Sequence, residues 1–358
     1  MGKQNRKKSV ILGMSGGVDS SVSALLLKEQ GYDVKGVALK LWAFNAENPC
    51  CSADDLRDAR TTARQIGIGF DVLDLQDVFR ETVVGYYVSE LAAGRTPNPC
   101  AVCNDRLKFG LLLDYALENG YDFVATGHYA RITEDAEGFH LKKAADRTKD
   151  QSYFLFTLDQ KRLSRILFPL GELRKNEVRD IARKAGLATY AKRDSQELCF
   201  LPPGGFREFS GTFASMDLHA GNIVNRAGKV IGSHQGLPLY TIGQRRGIGV
   251  YTNEPVYVID KNVTDNILIV DSADGLMTER CTIGTVRWIA GKEPLFPLKA
   301  RVRIRYRHTE QEAVVDKKGT TVVIKFDSPQ RAITPGQAAV VYQDEEILGG
   351  GWIEEVRG

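Results

Sequence analysis

Long apolar runs, a dense set of cysteines and a large net charge are all missing from this 358-residue chain. A membrane-spanning helix needs an apolar run of about 20 residues, and the apolar segment at 10–14 is too short for a signal peptide. Six cysteines at this length favour free, metal-bound or redox-active thiols in a reducing cytoplasm over a disulfide framework. A net charge of +3 restricts any surface for nucleic acid to a local patch. We therefore expect a cytoplasmic globular protein of two or three domains, with no membrane partner.

Two common nucleotide-binding motifs are missing as well, since neither G-x-x-x-x-G-K-[ST] nor G-x-G-x-x-G follows the first apolar run. In their place is the segment Ser15-Gly16-Gly17-Val18-Asp19-Ser20, between a predicted strand at 10–12 and a predicted helix at 22–30. Glycines permit a tight turn, and the unpaired N–H groups of a helix N-terminus attract anions. The segment resembles the PP-loop of ATP pyrophosphatases, which implies that it binds the phosphates of ATP.

Apolar runs alternate with helical periodicity through the first half of the chain. Strands are predicted at 34–41, 70–75 and 123–126, and helices at 52–66, 77–93, 104–118, 160–168 and 175–185. This alternation predicts an α/β domain with a parallel sheet and helices on both faces. Ligands of such sheets bind beyond the carboxyl ends of the strands, which is where Gly127 and His128 lie in the sequence.

The hydrophobic period changes near Pro202-Pro203-Gly204-Gly205. A hairpin before that point, at 129–133 and 139–144, is already predicted by alternating residues. Beyond it, short alternating segments separated by Gly, Asn and Asp predict a small β-rich central domain and then a β-barrel. We therefore divide the chain into a catalytic domain at 1–205, a central domain at 206–276 and a C-terminal barrel at 277–358.

Three cysteines, Cys100, Cys103 and Cys199, lie in segments that could carry chemistry. Cys100 and Cys103 lie in a predicted loop before the helix at 104–118, where a helix N-terminus favours a thiolate. They are candidates for a nucleophile or a metal ligand, and the alternative is a pair of small buried hydrophobic residues. A zinc site is disfavoured because a second C-x-x-C is missing. Cys199, taken by itself, is as consistent with a structural role as with a chemical one.

Four arginines alternate with other residues in the predicted strand at 298–308. On a strand this spacing places Arg301, Arg303, Arg305 and Arg307 on one face. Such a row suits phosphate contacts, and the alternative is a solvated outer face.

Four motifs taken together resemble the bacterial tRNA-specific 2-thiouridylases. They are the PP-loop, the segment Thr96-Pro97-Asn98-Pro99-Cys100-Ala101-Val102-Cys103-Asn104, the segment Ala125-Thr126-Gly127-His128, and Ser195-Gln196-Glu197-Leu198-Cys199-Phe200. The resemblance extends to Thr241-Ile242-Gly243-Gln244-Arg245-Arg246-Gly247. It implies that ATP, with Mg²⁺ on its phosphates, activates the C2 oxygen of the wobble uridine, which sulfur then replaces.

The resemblance also implies the residues of each site. The nucleotide-binding residues are Gly13, Met14, Ser15, Gly16, Gly17, Val18, Asp19, Ser20, Leu39 and Gly127. Cys199 is implied to carry a persulfide from a sulfur-relay protein or a cysteine desulfurase, and Cys103 to act as the nucleophile that pairs with it in a disulfide. The implied tRNA contacts are Asn98, Pro99 and Cys100 at the target base, with His128, Lys149, Asp150, Gln151, Arg305, Tyr306 and Gln337 around it.

Cys100 departs from the pattern of many members, which have Asp at this position. Three thiols, Cys100, Cys103 and Cys199, are also a ligand set for a [4Fe–4S] cluster, so a persulfide mechanism and a cluster mechanism both stay open, with the persulfide favoured. Two other functions are kept as alternatives. A GMP synthetase-like amidation shares the PP-loop but has no need of the cysteines, and a non-catalytic RNA-binding protein has no need of a PP-loop.

Overall fold

The computed structural model describes residues 6–43, 49–50, 53–192, 198–202, 205–212 and 218–357. Its first layer is a five-stranded parallel sheet in the order β5-β2-β1-β6-β9. These strands are β1 (Ser9–Gly13), β2 (Asp33–Lys40), β5 (Gly69–Asp74), β6 (Phe123–Ala125) and β9 (Ile166–Leu167), and a small antiparallel pair, β3 (Trp42–Ala43) and β4 (Pro49–Cys50), lies outside the sheet. The predicted α/β fold class is confirmed.

Helices cover both faces of this sheet. They are α1 (Val18–Glu29), α2 (Ala53–Ile66), α3 (Gln76–Phe79), α4 (Gly85–Ala92), α5 (Pro99–Cys103), α6 (Leu112–Glu118), α7 (Gln160–Leu163), α8 (Lys175–Lys184) and, at the end of the domain, α9 (Gly205–Thr212). Two π-helical segments, Arg80–Val84 and Asn104–Leu111, connect α3 to α4 and α5 to α6, so each pair is one continuous helix.

Alternation along β1 sends its side chains to two separate apolar clusters. Ile11 packs with the helices that run from α3 to α4 and from α5 to α6, whereas Val10 and Leu12 pack with α1, α2 and α8. Both faces of the sheet are therefore buried, as expected for a parallel sheet. This arrangement fixes the carboxyl ends of the strands, where the candidate site lies.

Three predicted elements are wrong in extent. The predicted helix at 160–168 is only α7, after which Ile166 and Leu167 pair with Val124 and Ala125 as the edge strand β9. The predicted loop holding Cys100 and Cys103 is the first turn of a helix that begins at Pro99. The predicted strand at 298–308 ends at Arg303. Ser52, the first residue of the predicted helix at 52–66, lies outside the described residues, as do Pro203 and Gly204 of the predicted boundary.

The central segment is a four-stranded sheet in the order β11-β10-β13-β12. Its strands are β10 (Gly221–Asn225), β11 (Val230–His234), β12 (Tyr257–Asn262) and β13 (Ile267–Asp271). The neighbours β10 and β13 are parallel, and the other two pairs are antiparallel. A small apolar core around Ile223 and Leu268 supports the sheet.

The C-terminal segment is a closed six-stranded barrel, because β14 pairs with both β17 and β19. The strands are β14 (Met277–Trp288), β15 (Leu298–Arg303), β16 (Gln311–Lys318), β17 (Thr321–Arg331), β18 (Ala338–Gln343) and β19 (Glu346–Arg357). Cys281 is fully buried in its core.

The predicted hairpin of the N-terminal domain extends the sheet of the barrel. It consists of β7 (Ala130–Asp135) and β8 (Gly138–Lys143), and β8 meets β19 at the pair Lys142 and Glu346. The N-terminal domain and the barrel are therefore joined along a shared sheet edge. Across the described ranges, no helix is both long and apolar enough to cross a membrane.

Candidate active site

A cavity of about 900 Å³ lies at the carboxyl edge of the parallel sheet. Gly13 at the end of β1, Leu39 in β2 and Gly127 after β6 line one side of it. Arg303, Tyr306 and Arg307 of the barrel line it as well. The cavity therefore lies where the topology of the sheet predicts a ligand, and two parts of the chain form its wall.

The PP-loop turns from β1 into α1 at the base of this cavity. The backbone of Gly16 has a φ of +73°, and a Cβ there would lie 2.3 Å from the carbonyl oxygen of Asp55. Glycine is therefore required by conformation and by space. The Ser15 amide donates to Ser20 Oγ over 3.3 Å, and Ser20 Oγ in turn donates to the carbonyl of Gly17. The Met14 amide, by contrast, extends the hydrogen bonding between β1 and β2, since it donates to the Val37 carbonyl over 2.9 Å.

Gly127 packs directly on the first turn of α1. A Cβ at this position would lie 3.0 Å from the backbone nitrogen of Ser20 and from the backbone carbon of Asp19. A larger residue would push the loop after β6 away from the N-terminus of α1. The predicted nucleotide-binding residues Gly127 and Leu39 thus line the same cavity as the PP-loop.

Asp19, in the first turn of α1, is held by two groups that the sequence analysis missed. Lys175 Nζ lies 2.7 and 2.8 Å from its two carboxylate oxygens, and the Tyr129 hydroxyl donates to Oδ1 over 2.8 Å. Lys175 is the first residue of α8, where the helix dipole disfavours a positive charge. A lysine at such a position is a signal that the sequence analysis could have used.

Lys192 is a second cation that the sequence analysis missed, and it contacts the PP-loop directly. Its ammonium group donates to the Gly16 carbonyl over 3.1 Å, to Asp55 Oδ1 over 2.6 Å and to Asp58 Oδ2 over 2.8 Å. These carboxylates raise the pKa of Lys192 against the opposing effect of burial. Lys192 therefore remains charged, and it ties the glycine turn to α2.

The two cysteines of the C-x-x-C segment lie in one helical turn but differ in burial. Asn98 caps this helix through its side-chain oxygen, which accepts from the Ala101 amide over 3.3 Å, and Pro99 occupies a first-turn position. Cys100 is exposed, whereas Cys103, three residues later, is buried in the apolar cluster under the sheet. The same helical turn thus presents one thiol to solvent and one to the core.

The Cys100 thiol is accessible to solvent at its surface but has protein atoms close around it. Desolvation raises its pKa to about 11, the neighbouring Cys199 adds to the increase, and Lys108 opposes it. The expected lowering by the helix N-terminus is outweighed here. Cys100 therefore stays a neutral thiol at pH 7.

Cys199 lines the cavity and is exposed. The next residue, Phe200, is buried against Tyr87 and Phe79, with ring centroids 5.1 and 5.9 Å apart, in the cluster that also contains Cys103. Phe200 thereby anchors the segment that carries Cys199. The predicted motif residues Ser195, Gln196 and Glu197 lie outside the described residues.

The three thiols do not converge on one point. In the part of the chain that the structure describes, no group of three His, Cys, Asp or Glu side chains is placed to hold a metal ion. Cys100, Cys103 and Cys199 form no disulfide with one another. The disulfide between Cys103 and Cys199 therefore stays a prediction about the reaction.

His128 lines the cavity but is almost fully buried. Its Nδ1 lies 2.7 Å from Thr126 Oγ1, and the rings of Phe109 and Phe168 pack against it. Burial, with a smaller effect of Lys108, holds the pKa of His128 well below its usual range. His128 can therefore offer a neutral imidazole, and not a cation, to a ligand.

The three neighbours Lys149, Asp150 and Gln151 have different surroundings, although all line the cavity. The Asp150 carboxylate is buried, and it accepts from the Ala144 amide over 3.0 Å, from Ser152 Oγ over 2.8 Å and from Arg303 Nη1 over 3.3 Å. Its contacts are those of a residue that holds two domains together. Gln151 accepts from the Tyr129 amide through its side-chain oxygen.

The predicted row of four arginines is wrong, because the strand ends before its third member. Arg301 pairs with Glu312 at the surface, and Arg303 pairs with Asp150 and lies 5.5 Å from the Tyr306 ring centroid. Arg305 is half-buried, and it donates to the carbonyl of Ile242 over 3.0 Å and to the hydroxyl of Thr334. These contacts hold Arg303 and Arg305 inside the protein.

Gln337 of the barrel holds the segment that precedes the cysteine helix. Its side-chain nitrogen donates to the carbonyls of Thr96 and Pro97 over 3.1 and 3.0 Å, and the Thr96 amide donates to the Pro335 carbonyl over 2.9 Å. Tyr306, also of the barrel, packs its ring 4.5 Å from that of Phe154 and lines the cavity.

Known protein families match the chain in three segments. The tRNA methyl transferase HUP domain matches residues 8–203, the tRNA methyl transferase PRC-barrel domain matches 214–272, and the aminomethyltransferase beta-barrel domain matches 278–353. Among solved structures, the U34-tRNA thiolase NcsA from Methanococcus maripaludis with its [4Fe–4S] cluster is 20% identical, covers 55% of this chain and 64% of its own, and gives a TM-score of 0.36. At this TM-score the similarity supports no statement about the function or the cofactor of this chain.

Curated relatives match nearly the whole chain. The tRNA-specific 2-thiouridylase MnmA of Geotalea uraniireducens is 43% identical over 364 residues, which cover 99% of this chain and 97% of the relative. The protein of the same name from Streptococcus mutans is 44% identical and covers 98% of this chain and 96% of its own. At this identity and coverage, the chain belongs to the tRNA-specific 2-thiouridylase family.

Proposed function

We propose that this chain is an ATP-dependent sulfurtransferase that replaces the C2 oxygen of the wobble uridine of tRNA with sulfur. The observation that carries the proposal is that the PP-loop and Cys199 line the same cavity. A phosphate site supplies a way to turn an oxygen into a leaving group, and a thiol supplies a carrier for sulfur. Family membership supports the same reading. We also propose the three-domain division at 1–205, 206–276 and 277–358, and a cytoplasmic location.

In the first step, the C2 oxygen of uridine attacks the α-phosphorus of ATP. A new O–P bond forms, the bond from the α-phosphorus to the pyrophosphate oxygen breaks, and pyrophosphate leaves. Gly13 to Ser20 supply backbone N–H groups and hydroxyls for the phosphates, and Lys175 and Lys192 add two positive charges next to them. Mg²⁺ on the phosphates would find the Asp19 carboxylate at the start of α1 and would offset the charge of the leaving pyrophosphate.

In the second step, the terminal sulfur of a Cys199 persulfide attacks C2 of the adenylated base. The C2–O bond breaks and AMP leaves with the oxygen. The Cys103 thiolate then attacks Sγ of Cys199, so that the S–S bond breaks, sulfur stays on C2, and a disulfide between Cys103 and Cys199 remains. A dithiol reductant restores both thiols. Splitting one substitution into two steps is the advantage of covalent catalysis.

The packing around the thiols supports this assignment of roles. Cys199 is exposed at the cavity, where a sulfur-relay protein or a cysteine desulfurase can deliver sulfur. Cys103 shares its apolar cluster with Phe200, the neighbour of Cys199, and is therefore shielded from solvent until that segment moves. Cys100, Asn98 and Pro99 are proposed to meet the target base, with His128, Lys149, Gln151, Tyr306 and Gln337 around it.

The arrangement of the thiols does not fit a [4Fe–4S] cluster. Cys103 is buried among apolar side chains, and within the described residues no three His, Cys, Asp or Glu side chains lie together as a metal-binding group. No step is therefore derived through a cluster. We expect thiolation to survive treatment with an iron chelator, with no visible absorbance in the purified protein, and loss of activity that iron and sulfide restore would require the cluster mechanism instead.

Mass spectrometry of tRNA nucleosides tests the proposed function. A strain that lacks this chain should lose 2-thiouridine at the wobble position, and the wild-type gene should restore it while a Cys199→Ser variant should not. Persistence of 2-thiouridine in the deletion strain would contradict the proposal. Loss of a methylated nucleoside from the deletion strain, with 2-thiouridine retained, would instead favour the methyl transferase named in the family descriptions.

Tests with purified protein separate the remaining alternatives. ATP cleavage to AMP that depends on tRNA would exclude a non-catalytic RNA-binding protein. Cleavage that depends on glutamine or ammonia would favour amidation of the GMP synthetase type. With tRNA present and a persulfide donor added, we expect AMP and 2-thiouridine in equal amounts.

A further inference from the structure

One sequence motif has no place in the mechanism above, namely the loop at 241–247 of the central segment. The motif follows a short 3-10 helix, Leu237–Leu239, and precedes β12. Arg245 and Arg246 are both exposed, and within the described ranges neither guanidinium group forms a hydrogen bond or an ion pair; the Arg246 carbonyl accepts from Gln244. Adjacent unpaired arginines on a surface present a local positive charge that is not neutralised within the protein.

The backbone of this loop is rigidly built. The Gln244 side chain accepts from the Thr241 amide over 3.0 Å and donates to the Arg246 carbonyl over 3.1 Å. Two backbone hydrogen bonds, Gly243 to Val258 and Val258 to Gln244, fix the loop on β12 at 2.8 and 3.0 Å. The two arginines are therefore presented from a fixed support, which reduces the entropy lost when they bind a partner.

The loop lies beside the rim of the cavity. Arg305 donates to the carbonyl of Ile242 over 3.0 Å, and the two residues that follow Arg305 in the chain, Tyr306 and Arg307, both line the cavity. Arg305 was predicted as an RNA contact, but here it serves as the bridge between the barrel and the loop. Arg245 and Arg246 thus extend the positive rim, which already includes Arg307, onto the central segment.

We propose that Arg245 and Arg246 bind the phosphate backbone of the RNA whose base enters the cavity, and that the central segment is therefore part of the RNA interface. The identity of the RNA as tRNA rests on the proposed function, whereas the phosphate contact rests on the loop itself. Guanidinium groups suit phosphate oxygens because they donate two parallel hydrogen bonds. Contacts to the backbone position an RNA without reading its sequence.

The test measures the salt dependence of tRNA binding by the full chain. An Arg245→Gln/Arg246→Gln variant should weaken binding roughly tenfold and should lower the slope of log affinity against log salt by about one to two, since each released phosphate contact accounts for about 0.7–0.9. Its KM for tRNA should rise, while kcat at saturating tRNA and the Kd for ATP should not change. The Arg245→Lys/Arg246→Lys variant keeps both charges and should keep the slope.

A matched control removes two exposed cations of the barrel that do not line the cavity. Lys318 and Lys325, on β16 and β17, are exposed, and the Lys318→Gln/Lys325→Gln variant changes the net charge by the same amount. A wild-type slope in the arginine variant, or an equal decrease in the control, would overturn the inference. Failure of the wild-type protein to thiolate tRNA would instead contradict the proposed function, and the salt slope would still report on the phosphate contact.

Discussion

Lys175 occupies the first position of α8, where its positive charge opposes the helix dipole. Its side chain is only 12% exposed and lines the cavity, and its ammonium group contacts both carboxylate oxygens of Asp19. Phosphates that bind at the PP-loop would approach the Asp19 carboxylate, and Lys175 offsets that repulsion. The contact with Asp19 at the site therefore explains why a lysine occupies this unfavourable helix position.

We predict that Lys175→Gln weakens ATP binding roughly ten- to a hundredfold, as expected for the loss of a charge-assisted hydrogen bond of about 1.5–3 kcal/mol. Isothermal titration with ATP measures the change. Lys184→Gln, at the exposed end of the same helix, is the control and should bind like the wild type. An unchanged Kd for ATP in Lys175→Gln would show that the ion pair is structural.

Cys100 gives a prediction about pH. Its pKa is raised to about 11, chiefly by desolvation and further by Cys199, so the thiol is neutral at pH 7 and becomes a thiolate only as the pH approaches 11. Alkylation by iodoacetamide, which needs the thiolate, should accelerate about tenfold per pH unit from pH 8 to 10. Peptide mapping by mass spectrometry measures the rate at Cys100. A rate that levels off near pH 9 would contradict the raised pKa.

At the scale of the element, the sequence placed most helices and strands within a few residues, and its errors have identifiable causes. Asn98 and Pro99 are typical of a helix start, but Pro97 and Pro99 together are equally typical of a loop, and the predicted loop that holds Cys100 and Cys103 is therefore too long. The strand β9 is two residues long, which is too short for a hydrophobic period to reveal. Arg305 lies beyond the end of β15, and its guanidinium group donates to Ile242 and Thr334 in place of facing solvent along the predicted strand.

Asp105, in the π-helical segment after α5, connects three elements. It accepts from Arg162 of α7 over 2.6 Å and from Arg287 of β14 over 2.9 Å, and its side chain is 10% exposed. The barrel is thereby attached to the helix that carries both cysteines of the C-x-x-C segment. The alternation of residues in the sequence gives no sign of this contact, because its partners are distant in the chain.

We predict that Asp105→Asn lowers the free energy of unfolding by about 2–3 kcal/mol, somewhat less than for a fully buried pair because both arginines are partly exposed. Urea denaturation followed by tryptophan fluorescence measures the change. Glu312→Gln, which breaks the exposed pair with Arg301, should cost at most about 1 kcal/mol. Equal effects of the two substitutions would show that Asp105 does not join the elements as described.

At the scale of the whole molecule, the candidate site depends on contacts between the N-terminal domain and the barrel. The PP-loop and the thiols could be found from local motifs, because each motif is a short continuous segment. The contribution of the barrel could not, because Tyr306 and Arg307 reach the cavity only after the domains dock. The same docking buries Asp150, which the resemblance had assigned to the RNA.

The pair of Asp150 and Arg303 is central to that docking. The Asp150 side chain is 3% exposed and that of Arg303 is 14% exposed, and Arg303 also lies 5.6 Å from the Tyr153 ring centroid and donates to the Tyr306 carbonyl. Loss of the carboxylate would leave a buried guanidinium without its anion. The loop at 149–151 and the cavity wall of the barrel would then lose their common anchor.

We therefore predict opposite behaviour for two neighbours that the resemblance treats alike. Asp150→Asn should lower the free energy of unfolding by about 2–4 kcal/mol, since it breaks a buried ion pair, and it should weaken tRNA binding only in proportion to the loss of folded protein. Lys149→Gln should keep the stability of the wild type and should lower both the affinity for tRNA and its salt dependence. Denaturation curves and binding titrations on the same samples separate the two effects. If Asp150→Asn were as stable as the wild type but failed to bind tRNA, its carboxylate would be a direct RNA contact, and the barrel would have to dock by other means.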